Sequence, residues 1–194
     1  MFLSDLSGNF SVRSFGKPQY YITITDDKTR YARAYFLHSN SNAVKVMNFL
    51  KERKNQDSAH VLRSRTDRGG EYVNAEPKES FASEGVIHEV THPYFHESNG
   101  MAERLNRTIV TMARGVLSGL PITLWNGGIS TAVYIKDHIP RKAIKESTPY
   151  EALYCTKPTI HYLQPFGRKC YAHVPKNSVS LAVSCFPGPL MANP

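Results

Sequence analysis

The 194-residue chain carries 24 Lys and Arg against 16 Asp and Glu, a formal charge of +8 and a pI near 9.4. That excess favours polyanionic partners, and 41% hydrophobic content fits one globular domain with a short appendage. No apolar run approaches the roughly 18 residues that span a bilayer, MFLSDLSGNF lacks the features of a signal peptide, and Cys155, Cys170 and Cys185 never reach Cys-x-x-Cys spacing, so no membrane span, disulfide framework or zinc finger is expected and a reducing compartment is.

Residues 1–4 read as a short strand ending at Asp5. The segment Tyr20–Asp26 (YYITITD) alternates and is rich in β-branched and aromatic residues, which predicts a strand. Asp26-Asp27-Lys28-Thr29 reads as a polar turn and residues 30–37 as the returning strand of a hairpin. A helix is predicted over 41–53, where Val44, Val46, Met47, Phe49 and Leu50 cluster on one side. Residues 59–66 return to strand, 77–83 to a short helix closed by Gly85, and 86–91 to a further strand.

After a loop at 92–100, Ser98 or Asn99 can cap a helix running to about Leu117, with Met101, Leu105, Ile109, Met112 and Val116 as its apolar stripe. A helix over 123–137 is weakened by Gly127-Gly128 at about 1 kcal/mol each relative to alanine. Beyond Pro140 the chain is loop-rich, with one helical turn near Pro149–Tyr154, and residues 177–194 show little pattern. The order predicts an α/β fold, a mixed five-stranded sheet flanked by helices with a loop-rich C-terminal extension.

Asp5, Asp67 and Glu103 sit in local sequence that suits metal chemistry: FLSDLSG, RSRTDRGGEY and NGMAERLNRT, with 35 residues between the last two. Asp5 and Asp67 fall at or just after predicted strand ends and Glu103 near a helix start, so one end of a sheet can gather all three. Carboxylates so gathered hold two Mg²⁺ ions, which take hard oxygen ligands and leave positions for water and phosphate. Taken singly, Asp5 reads as a surface acid, Asp67 as a turn residue, and Glu103 as a first-turn helix acid or a partner of Arg107. Together, in a basic chain, they point to an enzyme that cuts or joins nucleic acid.

Arg104, Arg107 and Arg114 share the helix of Glu103; Glu103, Arg107 and Arg114 lie on one face away from the apolar stripe, suited either to DNA phosphate or to solvent. Asn99 and Gly100 at the helix start suit a phosphate or simple capping. Arg68 follows Asp67, and Arg63 and Arg65 share one strand face, where a polar sheet surface is the plainer reading. His88, His92 and His96 recur every four residues, but Pro93 interrupts the helix that zinc ligation would need. Tyr94 and Trp125 read as packing residues rather than base-stacking platforms.

The sequence resembles the integrase catalytic core of Ty1/copia-type retrotransposons, a part of the Gag-Pol polyprotein within the RNase H-like polynucleotidyl transferases. The matching pieces are DLSG at 5–8, RTDRGGEY at 65–72, THPYFHESNGMAERLNRT at 91–108, LPITLW at 120–125, TPYEALYCTKP at 148–158 and LQPFG at 163–167. His96 stands where the family usually has proline, and Asn126-Gly127-Gly128 where an acidic-alanine pair follows the tryptophan. With no His/Cys zinc-binding segment ahead of the first predicted strand in these 194 residues, the sequence reads as an excised or decayed piece of a larger element.

The resemblance implies an RNase H-like core over 1–140, a C-terminal extension over 141–176 and an irregular tail over 177–194. It makes Asp5, Asp67 and Glu103 the D,D-35-E triad, binding Mg²⁺ or Mn²⁺. It implies DNA 3′-end processing and strand transfer, retroelement cDNA ends and target DNA as partners, assembly as a homo-oligomer, and action in the nucleus after a cytoplasmic particle stage. The alternative is a catalytically inactive integrase-derived remnant that binds nucleic acid or a protein partner. A cellular RNase H fits less well, because Asn-Gly-x-Ala-Glu-Arg belongs to the integrase side.

Overall fold

The computed structural model of the chain describes residues 1–38, 63–66, 85–90 and 100–169. Five strands are described: β1 Phe2–Ser7, β2 Tyr20–Asp26, β3 Ala32–Leu37, β4 Arg63–Thr66 and β5 Ile87–Val90. They form one mixed sheet in the order β3-β2-β1-β4-β5. β1–β2 and β2–β3 are antiparallel, whereas β1–β4 and β4–β5 are parallel. Three helices follow: α1 Gly100–Val116, α2 Trp125–Asp137 and α3 Pro149–Tyr154, with 3-10 turns at Ile122–Leu124 and Lys142–Ile144. The helices expected over 41–53 and 77–83 lie outside the described residues. Among the described residues, no helix is long and apolar enough to cross a membrane.

The alternation in YYITITD makes β2 a two-sided strand. Ile22 and Ile24 join Phe2, Leu37 and Val86 on one face. Tyr21 joins Leu105, Ile109, Ala113, Trp125, Ile129, Ala132 and Val133 on the other, beneath α1 and α2. Residues 21–25 are therefore all buried, as expected of an interior strand covered on both sides.

Strand limits differ from the sequence reading at β1, at β3 and at β5, which starts at Ile87 rather than at 86. β1 does not stop at Asp5: its ladder continues to Ser7 opposite Tyr21, which puts Asp5 inside the strand opposite Thr23. β3 begins at Ala32 rather than at 30, because the turn takes up the residues before it. Arg30 adopts a left-handed φ of 62° and donates its N–H to the Asp26 carbonyl at 2.9 Å. The Asp26 carboxylate accepts both the N–H and the hydroxyl of Thr29, at 3.1 and 2.8 Å.

The buried side of α1 is Ala102, Leu105, Asn106, Ile109 and Ala113. It is rotated from the expected stripe, and Met101 and Val116 are only half-buried. Alanines at 102 and 113 let the helix approach its neighbours closely. α2 begins at Trp125 after a 3-10 turn, two residues later than expected. Its two glycines are close-approach positions: a Cβ on Gly128 would lie 2.8 Å from the Leu117 side chain, and one on Gly127 2.9 Å from the Phe166 ring. Pro149–Tyr154 is helical as predicted. Thr148 caps it by accepting the Glu151 N–H at 3.0 Å, Pro149 opens it, and Cys155 closes it at φ 56°.

The far end of α2 carries a buried ion pair. Lys136 Nζ lies 2.6 Å from Asp137 Oδ1, with the side chains 1% and 4% exposed. Lys136 also donates to the Arg30 carbonyl at 2.7 Å, and both Asp137 oxygens accept the Ala32 N–H at 3.3 Å. The pair thus straps α2 to the β2–β3 turn. Burial pushes the Asp137 carboxyl up to about 6, against the opposing charge of Lys136. Burial likewise pulls the Lys136 ammonium down. An acid whose folded pKa is raised stabilises the fold most while both states hold the proton, and loses that contribution as pH climbs through the folded pKa.

Replacing Lys136 with methionine leaves a buried carboxylate without its cation. The variant is expected to lose roughly 3–5 kcal/mol at pH 7.5. The loss should be smaller at pH 5, where Asp137 takes up a proton. Urea denaturation of parent and variant at the two pH values measures the difference; equal losses at both would contradict the strap as described.

Candidate active site

Asp5 and Ser7 on β1 face Thr23 and Tyr21 on β2 across the antiparallel ladder, so all four side chains share the sheet face that α1 covers. Asn106 of α1 descends onto that face. Its Nδ2 donates to Asp5 Oδ2 at 2.7 Å and to Ser7 Oγ at 3.1 Å. Its Oδ1 accepts the Thr23 hydroxyl at 2.8 Å. Asn106 is 6% exposed and Thr23 1%, so these bonds form away from bulk water, where an unmade one is costly.

Tyr21 is wholly buried at the next rung, and its hydroxyl has no partner with hydrogen-bond geometry among the described residues. Burial raises its pKa; the nearby Ser7 hydroxyl opposes the rise without being aligned as a full hydrogen bond, and the Asp5 charge adds to it.

Glu103 lies one helical turn before Asn106 and is exposed. Residues three apart on a helix are surface neighbours, so the helix that grips Asp5 also carries Glu103 beside it. Arg104, Arg107 and Arg114 are exposed too, as the helical spacing predicts. Asp67, Arg68 and Asn99 lie outside the described residues. Asp67 is the residue after Thr66, the last of β4, and β4 runs parallel beside β1 with Leu3 opposite Arg65. Among the described residues, no three His, Cys, Asp or Glu side chains stand together as a metal-binding group.

Arg63 and Arg65 share a strand face and are engaged by a carboxylate. Arg65 Nη2 lies 2.8 Å and Arg63 Nη1 3.1 Å from the Glu89 oxygens, and the Arg65 hydrogen bond leads in holding the Glu89 carboxyl below its ordinary value. Of the histidines at every fourth position only His88 is described, on β5; His92, His96 and Tyr94 lie outside the described residues. Trp125 is core, as expected: it is 5% exposed, its indole N–H donates to the Val12 carbonyl at 2.9 Å, and its ring stacks on Phe10 with centroids 4.6 Å apart.

The loop between β1 and β2 is fastened to the start of α2. Phe15 donates its N–H to the Thr123 carbonyl at 2.9 Å and accepts from Asn126 Nδ2 at 2.9 Å. Ser14 Oγ lies 2.7 Å from both Thr123 O and Asn126 Oδ1, and accepts the Asn126 N–H at 3.1 Å. Asn126 thus serves as a latch for the loop that leaves the Asp5 strand.

The sequence reading did not single out Thr23, Tyr21 or Asn106. The available signal was a polar residue at a helical position flanked by buried Leu105 and Ile109, on a helix already carrying an acidic candidate. Asn106→Ala removes the donor from Asp5 and strands the Thr23 hydroxyl. It is expected to cost about 1–3 kcal/mol, read as a lower urea midpoint at unchanged slope.

No protein-family profile matches the sequence. The chain is 32% identical over 176 residues, 89% of its length, to the retrovirus-related Pol polyprotein from transposon TNT 1-94 of Nicotiana tabacum. It is 30% and 29% identical, over 79% and 82% of its length, to those from transposons RE1 and RE2 of Arabidopsis thaliana. It spans only 13%, 10% and 11% of these three polyproteins.

In fold it is similar to a chain of the simian T-cell lymphotropic virus intasome solved with the PP2A regulatory subunit B56 gamma, at TM-score 0.63 and 17% identity, covering 87% of this chain and 59% of that one. It is also similar to the catalytic core domain of BIV integrase, at TM-score 0.56 and 16% identity, covering 79% of this chain and 92% of that one. The chain is a relative of the copia-type transposon Pol polyproteins, matching one segment of them, and its mixed five-stranded sheet with flanking helices is the RNase H-like fold of the integrase catalytic core.

Proposed function

We propose that the chain is the catalytic core of a retrotransposon integrase, a polynucleotidyl transferase that processes DNA 3′ ends and joins them to target DNA. The observation that carries this reading is the grip of α1 on Asp5: the helix bearing Glu103 bonds the Asp5 carboxylate through Asn106 at 2.7 Å. That bond supports a site in which Asp5 and Glu103, two of the three candidate acids, act at one helix–sheet interface. Asp67, next after β4, supplies the third. All three are hard oxygen donors, the chemistry that Mg²⁺ and Mn²⁺ select.

When bound, such ions activate a water or a 3′-hydroxyl and stabilise the leaving oxygen of an in-line displacement. The residues of the chain hold and orient. Asn106 holds the Asp5 carboxylate in one orientation. The exposed arginines at 104, 107 and 114 face the phosphate backbone, with Asn99 and Arg68 as further candidate contacts. The core extends over 1–140, with 141–176 as its extension and 177–194 as a tail. DNA ends and target DNA are the partners, more than one copy assembles on them, and the reaction takes place in the nucleus.

The purified chain with Mn²⁺ is expected to join the strands of a branched DNA substrate. Glu103→Gln keeps size and hydrogen bonding but removes one ligand charge. It should lower joining by at least about 100-fold, the scale of removing one aligned electrostatic interaction with the transition state, while DNA binding stays near the parent value. If parent and variant are both inert yet folded and DNA-bound, the non-catalytic remnant is the better account.

The arginine face makes a separate claim. Binding of the parent to DNA should weaken steeply with salt and show little sequence preference. Arg107→Ala with Arg114→Ala should flatten the slope of log K against log salt by about 0.9 for each phosphate that is no longer neutralised. An unchanged slope would remove this helix face from the DNA interface.

A further inference from the structure

The polar cluster under Asp5 has a direction, and one residue of β2 anchors its far end. An ionised carboxylate is acceptor-only, so the group facing Asp5 Oδ2 at 2.7 Å has to be the NH₂ end of the Asn106 amide. That same end reaches Ser7 Oγ at 3.1 Å. The carbonyl end is then committed to Thr23, whose hydroxyl has to donate, at 2.8 Å. The Thr23 hydroxyl also lies 3.4 Å from the Asp5 carbonyl, but it has one proton, and the shorter contact takes it. A reversed amide would set an oxygen against the carboxylate, so Asp5 chooses the direction, while the Thr23 hydroxyl, which donates to the carbonyl end, holds the amide in place. With Thr23 and Asn106 both buried, solvent is poorly placed to replace that bond.

We propose that Thr23 is a positioning residue of the active site: by anchoring the carbonyl end of the Asn106 amide, it holds the NH₂ end against Asp5 and so sets the orientation in which Asp5 meets a divalent cation. The metal half of this statement rests on the function proposed above; the amide half does not. The bland alternative is that Thr23 is present as a β-branched strand former. Thr25, two residues on and on the same sheet face, supplies the contrast. It is equally buried, and its hydroxyl has no partner with hydrogen-bond geometry among the described residues. A valine would meet the needs of packing at either position. Only at 23 does the hydroxyl complete a chain that ends on a candidate catalytic carboxylate.

The test compares Thr23→Val, Thr23→Ser and the same-face control Thr25→Val in the full chain. Two quantities are read: the shift and hydrogen exchange of the Asn106 side-chain amide by ¹⁵N NMR, and the Mn²⁺ dissociation constant from the free-ion EPR signal. Thr23→Val is expected to shift the Asn106 amide, speed its exchange and weaken Mn²⁺ by about 10-fold, the scale of losing a partner behind a metal ligand. Thr23→Ser should restore both, and Thr25→Val should change neither. If Thr23→Val does not fold, Thr23→Ala carries the same expectation. An Asn106 amide unchanged in a folded Thr23→Val overturns the proposal, as does an equal change in Thr25→Val. If the parent binds no Mn²⁺, the metal reading of the site fails, and the Asn106 amide signal alone still decides whether Thr23 orients it.

Discussion

One buried amide determines how α1 can sit on the sheet. Asn106 lies between Leu105 and Ile109 on the inner side of the helix, and a polar group there is costly unless its bonds are made. The bonds it makes are to Asp5 and Ser7 on β1 and to Thr23 on β2. Rotating α1 by one residue, or sliding it by one turn, would bury the amide against apolar neighbours without them. Leu105, Ile109 and Ala113 supply the drive to pack, but they would tolerate several registers. The amide selects one, and that register places Glu103 one turn away and sends the arginines outward. Polar groups in cores do serve as registry devices in other folds, and the geometry here has that form.

α2 is held at both ends by comparable means. At its start, Trp125 packs among Phe10, Tyr21 and Phe36, and Asn126 latches the β1–β2 loop through Ser14 and Phe15. At its end, Lys136 and Asp137 strap it to the hairpin turn through Arg30 and Ala32. Both attachments reach segments continuous with β2, the strand that presents Thr23 and Tyr21. The glycines that weaken α2 as an isolated helix are the positions where Leu117 and Phe166 come closest. Low intrinsic propensity is offset by packing that a larger residue would obstruct.

Elements governed by local chemistry were legible in the sequence. The β2 limits follow from its alternation, and the helical turn read near Pro149–Tyr154 is α3. The arginine face of α1 followed from helical spacing. What escaped depends on contacts between distant segments. Counting large apolar residues chose Met101, Met112 and Val116 for the inner side of α1, whereas close packing selects Ala102 and Ala113 and admits Asn106. The sequence reading did not single out Lys136 or Asp137, because nothing local shows that the hairpin brings a carbonyl and an N–H to meet them. Asp5 was expected at a strand end; continued pairing to Tyr21 places it inside the strand, where both neighbours can fix its side chain. Asp67, the middle member of the candidate triad, lies outside the described residues.

The charge pattern sorts the arginines by what already faces them. Arg63 and Arg65 lie on β4, yet both meet Glu89, whose one carboxylate offsets part of their charge. Arg104, Arg107 and Arg114 project from a helix whose inner side is committed to the sheet, and they are exposed. For the proposed DNA substrate this division matters, because releasing an arginine from a bidentate carboxylate costs more than turning a solvated one toward phosphate. The β4 arginines thus act chiefly in pairing β4 with β5, and under the proposed function the helix arginines are the ones left to meet phosphate. The same helix that fixes a carboxylate inward is therefore the element that offers positive charge outward, and a single docking register determines both.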